Sequence, residues 1–258
     1  MGSEMCIRDR HLTVGSDVNP LHTDNFEEVS FGPILYGAKK LGMHIHTRYE
    51  VSNNAGQDIC DIVNNEGFDF LLVGSGISMS DSPDDIAATR YRTSFYNRYF
   101  KRFKAPESWF YPGALLKDKT KMFIARSNCD VGVFINRNFV KATNTLVVIS
   151  SEEDLFLLDY TRTLLKATHG SVGIVAKMST TTPGHDQILK ELWDFVSSTP
   201  QTQLLPDKDL TPGLFNSYNF MLIGYNTWND VSEHRKEALQ KMPSTLILNK
   251  NKRSSSDN

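Results

Sequence analysis

Between Arg90 and Lys104 the chain interleaves six basic residues (Arg90, Arg92, Arg98, Lys101, Arg102 and Lys104) with six aromatic ones. Cations beside rings can stack on the bases of a single nucleic-acid strand, or rest at a membrane surface with the rings among lipid headgroups. The same spacing also fits an amphipathic helix that packs its rings on a neighbouring surface and leaves its arginines in water. Residue types leave all three readings open. A second group of candidates is the glycines that close two apolar runs, Gly74-Ser75-Gly76 after Phe68 to Val73 and Gly224 after Tyr218 to Ile223. A glycine at a strand end first of all meets the need of a tight turn. His44 and His46 share one face of an expected strand, yet no carboxylate or cysteine stands at a supporting spacing, so they read as a solvated face rather than a metal site. Cys60 and Cys129 occupy apolar positions and read as small core residues, while His169, beside Gly170, complements the dipole at a helix end. The sequence holds no nucleophilic triad, no paired-acid arrangement and no P-loop, and no catalytic activity is expected of it.

Whatever these residues do, a folded chain must position them. The 258 residues are 40% hydrophobic and 22% charged, the balance of one large or two ordinary globular domains, which excludes disorder throughout. A net charge of −2 gives no general positive field for nucleic acid or anionic lipid, so such binding would have to be local, and no nucleic-acid partner is expected. Three cysteines without metal-like spacing suit a reducing compartment. Apolar runs are broken by glycine or charge well short of the roughly 20 residues that cross a bilayer. Met1 to Arg10 lacks the apolar core of a signal peptide and reads as a foreign leader or scar outside the fold.

Phe68 to Gly74 and Tyr218 to Gly224 are near copies, and the elements around them repeat, which points to one α/β unit used twice. In the second copy, strands are expected at Thr145 to Ile149, Ser171 to Ala176, Gln203 to Leu205, Phe220 to Gly224 and Thr245 to Leu248. Ser150 to Asp154 supply a hydroxyl and acids suited to a helix start, Leu155 to Ala167 carry a helical stripe, and Gly170 ends it. Ile188, Leu189, Leu192, Trp193 and Val196 mark the next helix face, and Val231, His234, Ala238 and Met242 the last. Alternating strands and helices give a doubly wound, mostly parallel five-stranded sheet, with any site at the switch point, in the loops after Ile149 and Gly224. The first copy shows strands at His11 to Val14, His44 to Val51, Phe68 to Gly74 and Asp130 to Ile135, and helices over Phe26 to Leu41 and Ala55 to Asn65. Its opening strand is missing, so the chain is expected to be a fragment. The resulting division is a leader at 1–10, a first domain at 11–140 with an insertion at 76–118, a second domain at 141–250 and a disordered tail at 251–258.

The strings Val51-Ser-Asn-Asn54 with Asp58-Ile59, Phe68 to Gly76, Val131 to Arg137, Asp154 to Asp159 and Met242 to Asn249, in this order and spacing, resemble the universal stress protein fold. The closer resemblance is to its tandem form, the cytoplasmic tail of bacterial cation:proton antiporters of the Kef and sodium/hydrogen-exchanger type. It covers nearly all of the chain after Arg10. It implies two universal stress protein-like, Rossmann-like sheets, the first lacking its opening strand, in a non-catalytic regulatory region. The membrane transport domain of the same antiporter would be the partner, a homodimer is possible, and the location would be the cytoplasmic face of the plasma membrane. The alternatives are a free-standing tandem stress protein that binds nucleotide and a nucleic-acid module built on residues 90–104. Members of the family that bind ATP carry a loop of the form G-x-x-G-x(9)-G-S/T after the fourth strand. Gly74, Ser75, Gly76 and Gly224 are the matching positions, but Asp81, Asp84 and Asp85 follow the first and no second glycine follows the other. Acids there would repel a triphosphate, so no cofactor is expected, with an adenine nucleotide the one to test.

Overall fold

The computed structural model describes residues 7–13, 32, 35–40, 42–51, 54–74, 119–178, 183–205, 210–234 and 241–251. They fall into two compact units, the first holding β1 (Ile7–Thr13), β2 (Ile45–Val51) and the start of α1 (Ala55–Glu66), the second running from Cys60 onward. In the first unit β1 and β2 pair in parallel, from Ile7 opposite Ile45 to Thr13 opposite Val51. This strand begins four residues before the expected His11 and takes in Ile7 to Arg10 of the stretch read as a leader.

In the second unit the elements are β3 (Phe70–Gly74), α2 (Lys119–Arg126), β4 (Asp130–Ile135), β5 (Asn144–Ile149), α3 (Leu157–Thr168), β6 (Ser171–Ala176), α4 (His185–Ser198), β7 (Thr202–Leu205), α5 (Pro212–Phe215), β8 (Phe220–Gly224), α6 (Tyr225–His234) and β9 (Ser244–Asn249). A single 3-10 turn, Glu152–Asp154, separates β5 from α3. The sheet order is β3-β4-β9-β8-β5-β6-β7. The strands of the second copy thus stand as expected, with β5 central between β6 and β8 and β7 at the edge. Their β-branched runs have no polar alternation because both faces are covered, and Leu146, Val147, Val148 and Ile149 are all fully buried.

The two separate five-stranded sheets expected from the repeat are instead one seven-stranded sheet and one two-stranded sheet among the described residues. The reason is the pairing of β4 with β9, the only antiparallel pair described, from Val131 opposite Asn249 to Ile135 opposite Thr245. Joining the closing strands of the two copies removes two free sheet edges at once. Phe134, Phe139 and Phe220 stack across this seam with ring centroids 5.3 to 6.4 Å apart, and Tyr160 of α3 donates to Asp130 of β4 at 3.0 Å.

The helical stripes explain the cover on the sheet. On α3, Leu157, Leu158, Thr161 and Leu165 face inward, and on α4 Ile188, Leu192 and Phe195 do so. Trp193, assigned to the α4 stripe from spacing, is 57% exposed, and Phe195 takes the inward place. The α3 terminus also differs from expectation. His169 takes the left-handed conformation (φ 51°), while Gly170 lies where a Cβ would press on the backbone of Thr143, 2.9 Å from its carbonyl carbon. The glycine is there for that close approach rather than for a turn. Of the last expected stripe, Val231 is buried on α6, Ala238 lies outside the described residues, and Met242 is buried but stands past the helix, just before β9.

Candidate functional site

The switch point lies where β5 gives way to the 3-10 turn and β8 runs directly into α6, because the connections of these neighbouring strands leave in opposite directions along the sheet. One side chain dominates it. Asp154, the last residue of the turn, is 2% exposed. Its Oδ2 accepts from Ser150 N (2.8 Å), Ser150 Oγ (3.2 Å), Ser151 N (3.3 Å) and Thr227 Oγ1 (2.6 Å). The Ser150 and Thr227 hydroxyls also stand within bonding distance of each other, and since each has one proton, whichever donates across that contact does not donate to Asp154 at the same time. Thr227 stands in the first turn of α6, where a carboxylate is favoured by the helix dipole. Beside it Asn226 Nδ2 donates to Glu153 Oε2 at 2.7 Å, so the two loops are tied twice.

Gly224 completes this arrangement. A Cβ at this position would collide with Asp154 Oδ1 and stand 3.1 Å from Cγ, so the glycine is where the buried carboxylate rests. Gly224, a candidate from sequence for a nucleotide loop, is therefore placed at the switch point but serves an internal carboxylate. The space that a glycine opens at a strand end for phosphate is filled by a side chain of like charge. The N–H groups of Ser150 and Ser151 are already engaged by it, and Lys177, the cation after β6, is turned to Asp230 of α6 at 3.6 Å. Sequence reasoning placed Ser150 to Asp154 at a helix start and missed Asp154 as the centre. The signal available was the acid four residues after Ser150, opposite a strand end bearing glycine and a following threonine.

The remaining candidates are dispersed. Gly74 ends β3 at an exposed position, and Ser75, Gly76 and the cations Arg90, Arg92, Arg98, Lys101, Arg102 and Lys104 lie outside the described residues. His44 and His46 are exposed on or just before β2, and no group of three potential metal ligands occurs among the described residues. Cys60 and Cys129 are buried and unlinked. Burial raises both thiols, that of Cys129 to about 11 with the neighbouring Asp130 adding to it, which leaves neither as a thiolate nucleophile at neutral pH. A groove of about 630 Å³ beside α3 and α4 is lined by the acids Glu152, Glu153, Asp159, Glu191 and Asp194 and by the cations Arg162 and Lys250. Arg162 is held by Asp159 at 2.9 Å and lies over the Phe195 ring at 4.9 Å. No helix among the described residues is long and apolar enough to cross a membrane.

No protein-family model matches the chain, and no curated protein matches it in sequence. Solved structures do match its fold. A universal stress protein from Archaeoglobus fulgidus DSM 4304 superimposes with a TM-score of 0.54 at 10% identity, over 96% of this chain and 86% of that one. The cytoplasmic domain of a prokaryotic cation chloride cotransporter does so with a TM-score of 0.53 at 10% identity, over 95% and 85%. The chain has an α/β fold with a mostly parallel sheet, of the kind found in universal stress proteins and in the cytoplasmic domain of a transporter.

Proposed function

We propose that this chain is a non-catalytic regulatory region of a monovalent cation:proton antiporter, built from two universal stress protein-like halves. It acts through contact with the membrane transport domain at the cytoplasmic face of the plasma membrane. The observation that carries this reading is the closed switch point. Where a nucleotide-binding member of this fold class would need open backbone N–H groups, Asp154 is buried against Gly224 and bonded to Ser150 and Thr227. That favours a body that transmits force or position through protein contacts over one that senses a nucleotide there. The likeness in fold to a cotransporter's cytoplasmic domain supports the same class of role.

Regulation of this kind requires contacts that differ between two states of the transport domain. The Arg90 to Lys104 segment, with its cations and rings, is the part of the sequence suited to a membrane-side surface. Two experiments test the reading. In the genomic sequence, an in-frame series of apolar segments of about 20 residues upstream of this region supports it, and a stop codon close upstream overturns it. Calorimetry with ATP should give no saturable heat up to roughly millimolar concentration, where binding free energy falls to about 4 kcal/mol. Tight ATP binding that survives Asp154→Asn would favour a nucleotide-binding stress protein instead.

A further inference from the structure

The internal repeat lets one half of the molecule measure the other. β3 and β8 carry matching sequences, Phe70-Leu-Leu-Val-Gly74 and Phe220-Met-Leu-Ile-Gly224. Each pairs in parallel with the closing strand of its copy in the same register: Phe70 opposite Asp130 and Gly74 opposite Phe134, Phe220 opposite Ser244 and Gly224 opposite Leu248. Their other edges differ. β8 receives β5, with Thr145, Leu146, Val147 and Val148 opposite Phe220, Met221, Leu222 and Ile223. β3 has no such neighbour among the described residues and ends the sheet. The consequence shows in burial: Leu222 is 2% exposed, and its counterpart Leu72 is 58% exposed.

We infer that the edge of β3 that carries no strand among the described residues is a seat for a parallel strand of β5 chemistry: an extended peptide of polar start and successive β-branched or leucine residues. Its residue equivalent to Val147 would stand beside Leu72. An unpaired edge offers a row of N–H and C=O groups to any extended segment, and the side chains on its faces then decide which segment stays. Here those faces are apolar, since Phe70 packs on Tyr160 at 5.9 Å between centroids and Val73 lies against the core cluster of Val133 and Trp228. An alternating polar strand would set its polar side chains against one of these apolar faces. A run apolar on both faces, as β5 is, does not. The parallel direction follows from β5, the strand that fills the matching place in the second copy.

The test uses the full chain and a synthetic peptide with the sequence of residues 143–152 followed by two lysines for solubility. Hydrogen exchange is followed at each strand. The expected result is that alternate amides of Phe70–Gly74 slow by roughly tenfold or more on saturation, while those of β6 do not change. A peptide carrying Val147→Pro, which loses a ladder donor, should give no slowing. Leu72→Lys in the chain, at an exposed site where folding is not at stake, should abolish the effect, and Leu72→Val should keep it. Three outcomes overturn the inference: no slowing at saturating peptide, β3 amides in the free chain already as protected as those of β8, or slowing that is indifferent to Leu72→Lys. Concentration-dependent protection of β3 without peptide, lost in Leu72→Lys, would also overturn it by identifying a second copy of the chain as the occupant.

Discussion

At the scale of single residues, Asp154 and Gly224 form a pair whose energies should not add. Asp154→Ala leaves two backbone N–H groups, and one of the paired Ser150 and Thr227 hydroxyls, without their acceptor, a loss of roughly 2 to 4 kcal/mol for a buried, charge-assisted network. Gly224→Ala alone drives a Cβ into the carboxylate, with an overpacking cost of about 1 to 3 kcal/mol. In the double variant the new methyl group meets only the Cβ of residue 154, at 3.9 Å, so the second substitution should cost much less than it does alone. Urea denaturation of the four proteins measures this, and simple additivity would refute the contact. Cys129 makes a second prediction at this scale. Its thiol is raised by burial from 9.0 to about 11, so as pH climbs the unfolded chain releases this proton first and the folded state falls behind. The stability present below pH 9 should decline between pH 9 and 11, by roughly 2 to 3 kcal/mol from this group. Tyr160, raised by burial and by Asp130, adds to the decline in the same direction. Cys129→Ala should flatten the slope, and an unchanged slope would exclude the assignment.

Elements explain why equal sequences behave unequally. β3 and β8 share their residue pattern, yet among the described residues β8 lies between two strands and β3 beside one. Amides of β8 should therefore exchange only through global unfolding, and those of β3 through a cheaper local opening. Native-state exchange with rising denaturant separates the two, and equal opening free energies would contradict the edge assignment. The helices were legible in sequence as stripes, but a stripe does not by itself decide every residue at its margin. Trp193 and Phe195 on α4 are two positions apart, and packing chose the phenylalanine. Trp193→Ser should accordingly change stability by less than about 0.5 kcal/mol, as at other exposed sites, whereas Leu192→Ala in the same turn should cost about 2 to 5 kcal/mol. Thermal unfolding of the two variants checks the order.

The whole second unit should behave as one cooperative body. The antiparallel seam of β4 and β9 carries the sheet from one copy into the other, and two core clusters run along its faces without a break at the seam. Ile247→Asp, which puts a charge into that seam at a residue 1% exposed, should lower the opening free energy of β4 and of β5 together. Exchange measured at both strands would show it, and a loss confined to β4 would mean that the copies unfold separately.

The sequence by itself determined the elements and their alternation, because burial on both faces of a parallel sheet demands apolar runs without polar alternation, and those within Asn144–Ile149, Ser171–Ala176 and Phe220–Gly224 are visible without a structure. It also located the switch point, since strand order follows from right-handed crossovers. Tertiary structure alone decided what fills that point. A glycine at a strand end reads the same whether it admits a phosphate or a carboxylate, and only the position of Asp154, carried there by the turn after β5, distinguishes them. The fusion of the copies into one sheet was likewise decided by pairing between strands more than 100 residues apart, a long-range choice that no local pattern encodes.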